Sequence, residues 1–116
     1  MIAALVFCAT MTFAQKCVIK GAADGGSIEV MGCSHSGNVV TVLLANDSKD
    51  PAKVTVKIQI TGSDNKIYEK ETPYPIYVEG NTPNKEVKID MSDKITGKVT
   101  ILSEKVVSLS GDKCNP

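Results

Sequence analysis

Apolar and polar residues alternate along most of the chain with the period of two that is typical of β-strands. Between residues 53 and 61 every second side chain is apolar and β-branched, and the residues between them are polar. The same alternation recurs over residues 85–91, whereas residues 39–45 are almost continuously apolar, as in a central strand. No segment sustains the spacing of an amphipathic helix. The pattern predicts an all-β chain in which each strand turns one face to a core.

Short clusters of Gly, Asn, Asp, Ser and Pro interrupt the alternation at intervals typical of a β-sandwich or small barrel. The strands are expected at residues 16–20, 27–33, 38–45, 53–61, 66–71, 75–79, 85–91 and 98–109. Residues 92–97 could form one helical turn between sheets. The last strand is long enough to bend or split near Ser103 and Glu104.

Residues 40–48, then 52–58 and 64–66, resemble the B, C and C′ region of small bacterial extracytoplasmic immunoglobulin-like domains of the FxLYD and CARDB types. In those families an apolar strand runs into an Asn and a Ser-containing turn, and the next strand carries alternating valines before a polar hairpin. The chain lacks the Phe-x-Leu-Tyr-Asp string and contains no Trp. The resemblance implies an all-β, immunoglobulin-like antiparallel β-sandwich of about seven to eight short strands, and it implies no active residues.

The N-terminal segment has the pattern of a secretory signal. Residues 2–13 are apolar or uncharged, and small side chains at Thr12 and Ala14 mark a cleavage site. We expect a signal peptide at residues 1–14 and one domain at 15–116; a buried N-terminal strand or helix is the alternative. Lys16 ends the run before the roughly 20 apolar residues of a membrane span. The ending Thr-Phe-Ala before Gln is similar to signals of Bacteroidetes exported proteins, and the expected location is secreted, periplasmic or at the cell surface.

Cleavage after Ala14 would remove Cys8 and leave three cysteines, Cys17, Cys33 and Cys114, in an oxidising compartment. One disulfide and one thiol are then expected, with Cys114 bonded to a cysteine nearer the N-terminus. The sequence leaves open which one. The remaining thiol is either buried and inert or a site of pairing with another molecule.

Charge limits the possible partners. Thirteen Lys side chains balance 13 acidic ones, and the chain contains no Arg. A nucleic-acid or polyphosphate binder needs a basic face and usually guanidinium groups, so neither class of ligand is expected.

His35 is the only histidine, which argues against most catalytic triads and metal sites. Neighbouring serines in a turn do not align a hydroxyl with the imidazole and an orienting carboxylate. If the strand continued through His35, period two would place Met31, Cys33 and His35 on one face, a soft ligand set suited to copper(I). The alternative has Met31 in the core, Cys33 bridged or buried and His35 solvated in a loop. We expect no cofactor and no metal.

Tyr68, Tyr74 and Tyr77 are the only concentration of aromatic residues. Exposed rings here would offer a platform for a sugar or peptide; packing in the core or at a sheet edge is the alternative. Residues 46–50 lack the glycine and spacing of a calcium loop, and an Asx turn explains them better. Asn46, Asp47 and Ser48 also form a glycosylation acceptor in a eukaryotic source.

Three hypotheses follow. The first is a non-catalytic, exported binding or cell-surface interaction module with an unknown protein or glycan partner. The second is a periplasmic copper-handling protein that uses Met31, Cys33 and His35. The third is an assembly subunit that pairs through an edge strand.

Overall fold

The computed structural model describes residues 15–20, 27–110 and 112–113, and these residues form an all-β fold without a helix. The predicted signal peptide and Cys114 lie outside the described residues. The ten strands are β1 (Gln15–Lys20), β2 (Ser27–Ser36), β3 (Val39–Asn46), β4 (Ala52–Val54), β5 (Val56–Gly62), β6 (Ile67–Glu71), β7 (Ile76–Val78), β8 (Thr82–Asp90), β9 (Ile101–Leu109) and β10 (Asp112–Lys113).

The strands pair antiparallel in two four-stranded sheets and one two-stranded ribbon. The first sheet has the order β1-β2-β3-β8, the second β10-β9-β5-β6, and the ribbon joins β4 to β7. If β2, β3 and β8 are taken as strands A, B and E, then β10, β9, β5 and β6 fall at G, F, C and C′ of an immunoglobulin-type sandwich. The predicted fold class is confirmed, and β1 is an additional strand beside strand A.

Burial follows the predicted alternation. Val54, Val56, Ile58 and Ile60 are completely buried, as are alternate residues of β3. Val87, Ile89 and Met91 also lie in the core, whereas Lys88 and Asp90 are exposed. The core forms where these inner faces meet, and removal of such side chains from water is the main stabilising contribution to the fold.

The predicted strand at 53–61 divides at Thr55. The part before Thr55 pairs with β7, and the part after it pairs with β6 and β9. At the division the Thr55 carbonyl accepts from the Ser110 amide at 2.7 Å, and the Ser110 hydroxyl accepts from the Thr55 amide at 3.2 Å. Because Ser110 satisfies both backbone groups, the chain can change sheets without leaving a buried polar group unpaired.

The turn expected at 92–97 is present, but it forms no helix. The amides of Lys94 and Ile95 both donate to the Met91 carbonyl, at 2.8 and 3.1 Å, and the chain then continues as irregular turns. The last strand remains one element, with an irregularity in its pairing between Ile101 and Ser103, close to the predicted bend.

A buried asparagine closes the loops at the end of β3. The Asn46 amide nitrogen donates to the carbonyls of Asp50 at 3.0 Å and Glu79 at 3.2 Å, with the Val78 carbonyl at 3.5 Å. Its oxygen accepts from the Ser48 amide at 2.9 Å, which is the predicted Asx turn. A Cβ on Gly80 would lie 2.1 Å from the Lys49 carbonyl oxygen, so the two loops touch directly.

Candidate functional site

Two tyrosines form the most exposed aromatic surface among the described residues. Tyr74 is 69% exposed in the turn after β6, and Tyr77 is 51% exposed on β7. Tyr77 faces outward because its neighbour Val78 is buried, and it lies directly opposite exposed Lys53 on β4. We call Tyr74 and Tyr77 the tyrosine surface.

Tyr68 does not belong to this surface. It is half-buried against the core near the start of β6, and its hydroxyl donates to the Asp64 carboxylate at 2.5 Å. This bond raises the pKa of Tyr68 and lowers the pKa of Asp64. About 10 Å of extended strand separates Tyr68 from the end of β6 at Glu71, and Tyr74 lies beyond that end. The structure therefore leaves two of the three predicted tyrosines exposed and gives Tyr68 a role in the β5–β6 hairpin.

An open groove lies next to the tyrosine surface, and Pro73, the residue before Tyr74, forms part of its wall. The groove is lined by Lys57, Glu69, Lys70, Glu71, Pro73, Asp93 and Lys94. Three of these side chains are cationic and three are anionic. A groove lined by charges of both signs does not favour the binding of a polyanion.

Ion pairs connect the charged side chains that line the groove. Lys57 Nζ lies 3.4 Å from Glu69 Oε1, and Lys70 Nζ lies 2.8 Å from Asp93 Oδ1. Lys70 also donates to the Asp90 carbonyl at 2.6 Å, which ties β6 to the end of β8. Hydrogen bonds from Gln59 and Lys57 lower the pKa of Glu69, and the bond from Lys70 lowers that of Asp93. These carboxylates are therefore charged acceptors.

The residues of the copper hypothesis do not share one face. The strand does continue through His35, but the pairing of β2 with β3 shifts between Val30 and Gly32, which places Met31 at a bulge. Beyond the bulge Cys33 lies opposite Val42 and His35 opposite Val40, both core residues. Met31 is 44% exposed, so its predicted place in the core is also wrong. One extra residue reverses the phase of the alternation, and the period-two argument fails at Met31.

His35 contacts a carboxylate from the opposite sheet and is not a solvated loop residue. Its Nδ1 pairs with Glu104 Oε1 of β9, and the two side chains are 31% and 17% exposed. Burial, with a smaller contribution from the Glu104 charge, raises the pKa of the nearby Cys33 thiol to about 12. Because thiolate is the reactive form, Cys33 is a buried, inert thiol, and it forms no disulfide.

Asn46 is unsuited to glycosylation in the folded chain. Its side chain is only 1% exposed, and its amide hydrogens are directed at backbone carbonyls. The edge strands β6 and β8 carry exposed charges, including Glu69, Glu86 and Lys88. Charged edges discourage pairing with another strand.

Over the part of the chain that the structure describes, no three His, Cys, Asp or Glu side chains group in a way that could hold a metal ion. Nor does this part contain a helix of the length and apolarity that crossing a membrane requires. Comparison with protein-family models, curated proteins and solved structures gives no match for the chain.

Sequence reasoning missed Glu104, Lys70 and Asp93. Glu104 is an acidic residue two positions before the core residue Val106, so its inward position could have been read from the alternation. Lys70 and Asp93 carried no comparable signal, because their pairing depends on how β6 lies against the turn after β8.

Proposed function

We propose that this protein is an exported, non-catalytic interaction module that binds an extended polypeptide segment of a partner protein through the tyrosine surface. The observation that carries the proposal is the exposure of Tyr74 and Tyr77, 69% and 51%, near a charge-lined groove that Pro73 helps to form. Neither ring is needed to fill the core. Tyrosine supplies a large contact area at a low entropic cost and is enriched at protein interfaces.

The chemistry of the groove favours a polypeptide over a glycan. Its ionic side chains of both signs match the mixed side chains and backbone groups of a peptide. Glycan-binding sandwiches usually stack sugars on several aromatic rings including Trp, and the chain contains no Trp.

The state of the Cys33 thiol supports a non-catalytic role. The thiol is buried, and its raised pKa keeps it protonated at neutral pH. Cys33 therefore does not supply the activated thiolate nucleophile that acyl transfer requires.

Export is supported by the sequence of residues 1–14, an uncharged apolar run that ends in small side chains at Thr12 and Ala14. Expression with a secretion-competent host and intact-mass measurement test this part. The expected mass is that of residues 15–116; a mass that retains residues 1–14 would contradict export by cleavage.

A displayed library of random linear peptides tests binding. We expect the wild-type protein to enrich a peptide family and the Tyr74→Ala/Tyr77→Ala variant to bind the enriched peptides at least about 10-fold more weakly. Leu102→Ala is the matched control, because it removes a 58% exposed apolar side chain from another strand. Failure to enrich any peptide, equal binding by the double variant, or binding to a glycan array instead would overturn the proposal.

A further inference from the structure

Most of the charged side chains that line the groove are already paired with one another. Lys57 Nζ contacts Glu69 Oε1, and Lys70 Nζ contacts Asp93 Oδ1. Because each pair brings opposite charges together, the fields of these four groups largely cancel at a ligand that enters the groove. The preference of the groove for a charged ligand therefore depends on its other charged residues.

Glu71 and Lys94 are the charged groove residues that remain. Glu71 ends β6, Lys94 lies in the turn after β8, and both are exposed. Lys57 is the register partner of Glu71 on β5, but its ammonium group lies against Glu69. Within the described part of the chain, no ion pair or side-chain hydrogen bond engages the Glu71 carboxylate or the Lys94 ammonium. The groove thus offers an anion and a cation whose charges are not used by the fold.

Lys70 fixes the two elements that carry these free charges. It comes directly before Glu71 on β6, and it donates to the Asp90 carbonyl at 2.6 Å and to the Asp93 carboxylate at 2.8 Å. Asp93 comes directly before Lys94. Because these bonds hold β6 against the turn, the backbone positions of Glu71 and Lys94 are set before a ligand binds, which reduces the entropic cost of binding.

We infer that Glu71 and Lys94 select a polypeptide segment that carries charges of both signs. Glu71 contacts a Lys or Arg side chain of the segment, and Lys94 contacts an Asp or Glu side chain. The inference rests on the proposed function, because Pro73 joins this groove to the tyrosine surface. Complementary charges favour the correct segment, and like charges at the same positions exclude others by repulsion.

Charge reversal in the displayed library of random linear peptides tests the selection. We expect the family enriched on the wild-type protein to contain a basic and an acidic residue at a fixed spacing. Selection on Glu71→Lys should replace the basic residue with an acidic one, and selection on Lys94→Glu should replace the acidic residue with a basic one. Both side chains are exposed, so both variants should keep the wild-type Tm.

Synthetic peptides from the enriched families give the matching affinities. The wild-type peptide should bind Glu71→Lys and Lys94→Glu at least about 10-fold more weakly than the wild-type protein, and the peptide with the exchanged charge should restore binding to its own variant. Glu86→Lys and Lys98→Glu are the matched controls, because they reverse exposed charges outside the groove. Both controls should select the wild-type peptide family.

The two proposals fail in different ways. A wild-type family that depends on the tyrosine surface but carries no charged positions, or the same charged positions on every variant, would overturn the inference and leave the proposed function intact. Enrichment of no peptide on the wild-type protein would overturn both. Restored binding by the charge-exchanged peptides would show that Glu71 and Lys94 contact the ligand, since a merely structural effect of the substitutions would weaken every peptide alike.

Discussion

The two ends of β3 are closed by polar side chains of different chemistry. At the start of the strand, His35 lies opposite Val40 and pairs with the Glu104 carboxylate of the other sheet. At its end Asn46 turns a neutral amide toward the carbonyls of two loops. The His35 and Glu104 side chains are 31% and 17% exposed, whereas Asn46 is only 1% exposed.

This difference follows from the cost of burying charge. A neutral amide can be buried completely when its donors and acceptor find partners. An imidazolium and a carboxylate lose hydration that their attraction only partly restores, so such a pair is most stable where water still reaches it. The Asn46 end is therefore expected to contribute more to the stability of the fold than the His35 end.

The largest expected effect is at Asn46. Asn46→Ala removes the buried donor to the carbonyls of Asp50 and Glu79 and the acceptor of the Ser48 amide, and we expect a loss of about 3 kcal/mol in the free energy of unfolding. Asn46→Asp should also be strongly destabilised at neutral pH, because a carboxylate cannot donate to the carbonyls of Asp50 and Glu79. Urea denaturation measures both variants.

Asn84→Ala is the matched control for this comparison, since Asn84 is an exposed residue of β8. Its expected effect is within about 0.5 kcal/mol. If Asn46→Ala were no more destabilising than Asn84→Ala, the amide would not be what holds the two loops together.

The next largest effect concerns the thiol of Cys33, two residues before His35 on β2. The pKa of Cys33 is raised from 9.0 in the unfolded chain to about 12. Its contribution to stability is therefore complete below pH 9, and it is lost as the pH rises toward 12, with a slope approaching about 1.4 kcal/mol per pH unit. Stability curves of wild type and Cys33→Ala between about pH 8 and pH 11 test this.

All other residues are the same in both proteins, so the difference between the two curves isolates Cys33. The wild-type advantage should shrink as the pH rises. Parallel curves would show that the thiol of Cys33 is not protected from ionisation.

The Asn46 end was more predictable from sequence than the His35 end, because its first hydrogen bond is local. An Asn followed two residues later by Ser predicts an Asx turn, and the alternating residues from Val54 to Ile60 predict one buried face; both predictions were confirmed. The carbonyls that complete the Asn46 site come from residues more than 30 positions away, and no local pattern indicates them.

The errors of prediction arise from pairing between strands. The bulge at Met31 is defined by how β2 aligns with β3, and the adjacent apolar residues Val30 and Met31 do not by themselves indicate it. The division at Thr55 likewise depends on Ser110, which lies 55 residues further along the chain. Tyr77 lies on the short β4–β7 ribbon that this division creates.

The smallest effect is the coupling between His35 and Glu104, and a double-mutant cycle with His35→Ala and Glu104→Gln measures it. Because the two side chains are in direct contact and only 31% and 17% exposed, we expect a coupling of about 1 kcal/mol. The Lys57 and Glu69 pair, whose side chains are 42% and 43% exposed, is the control and should show a weaker coupling. A coupling at His35 no larger than that of the control would mean that the partly buried pair adds nothing beyond an exposed ion pair, and the contrast between the two ends would then rest on Asn46 alone.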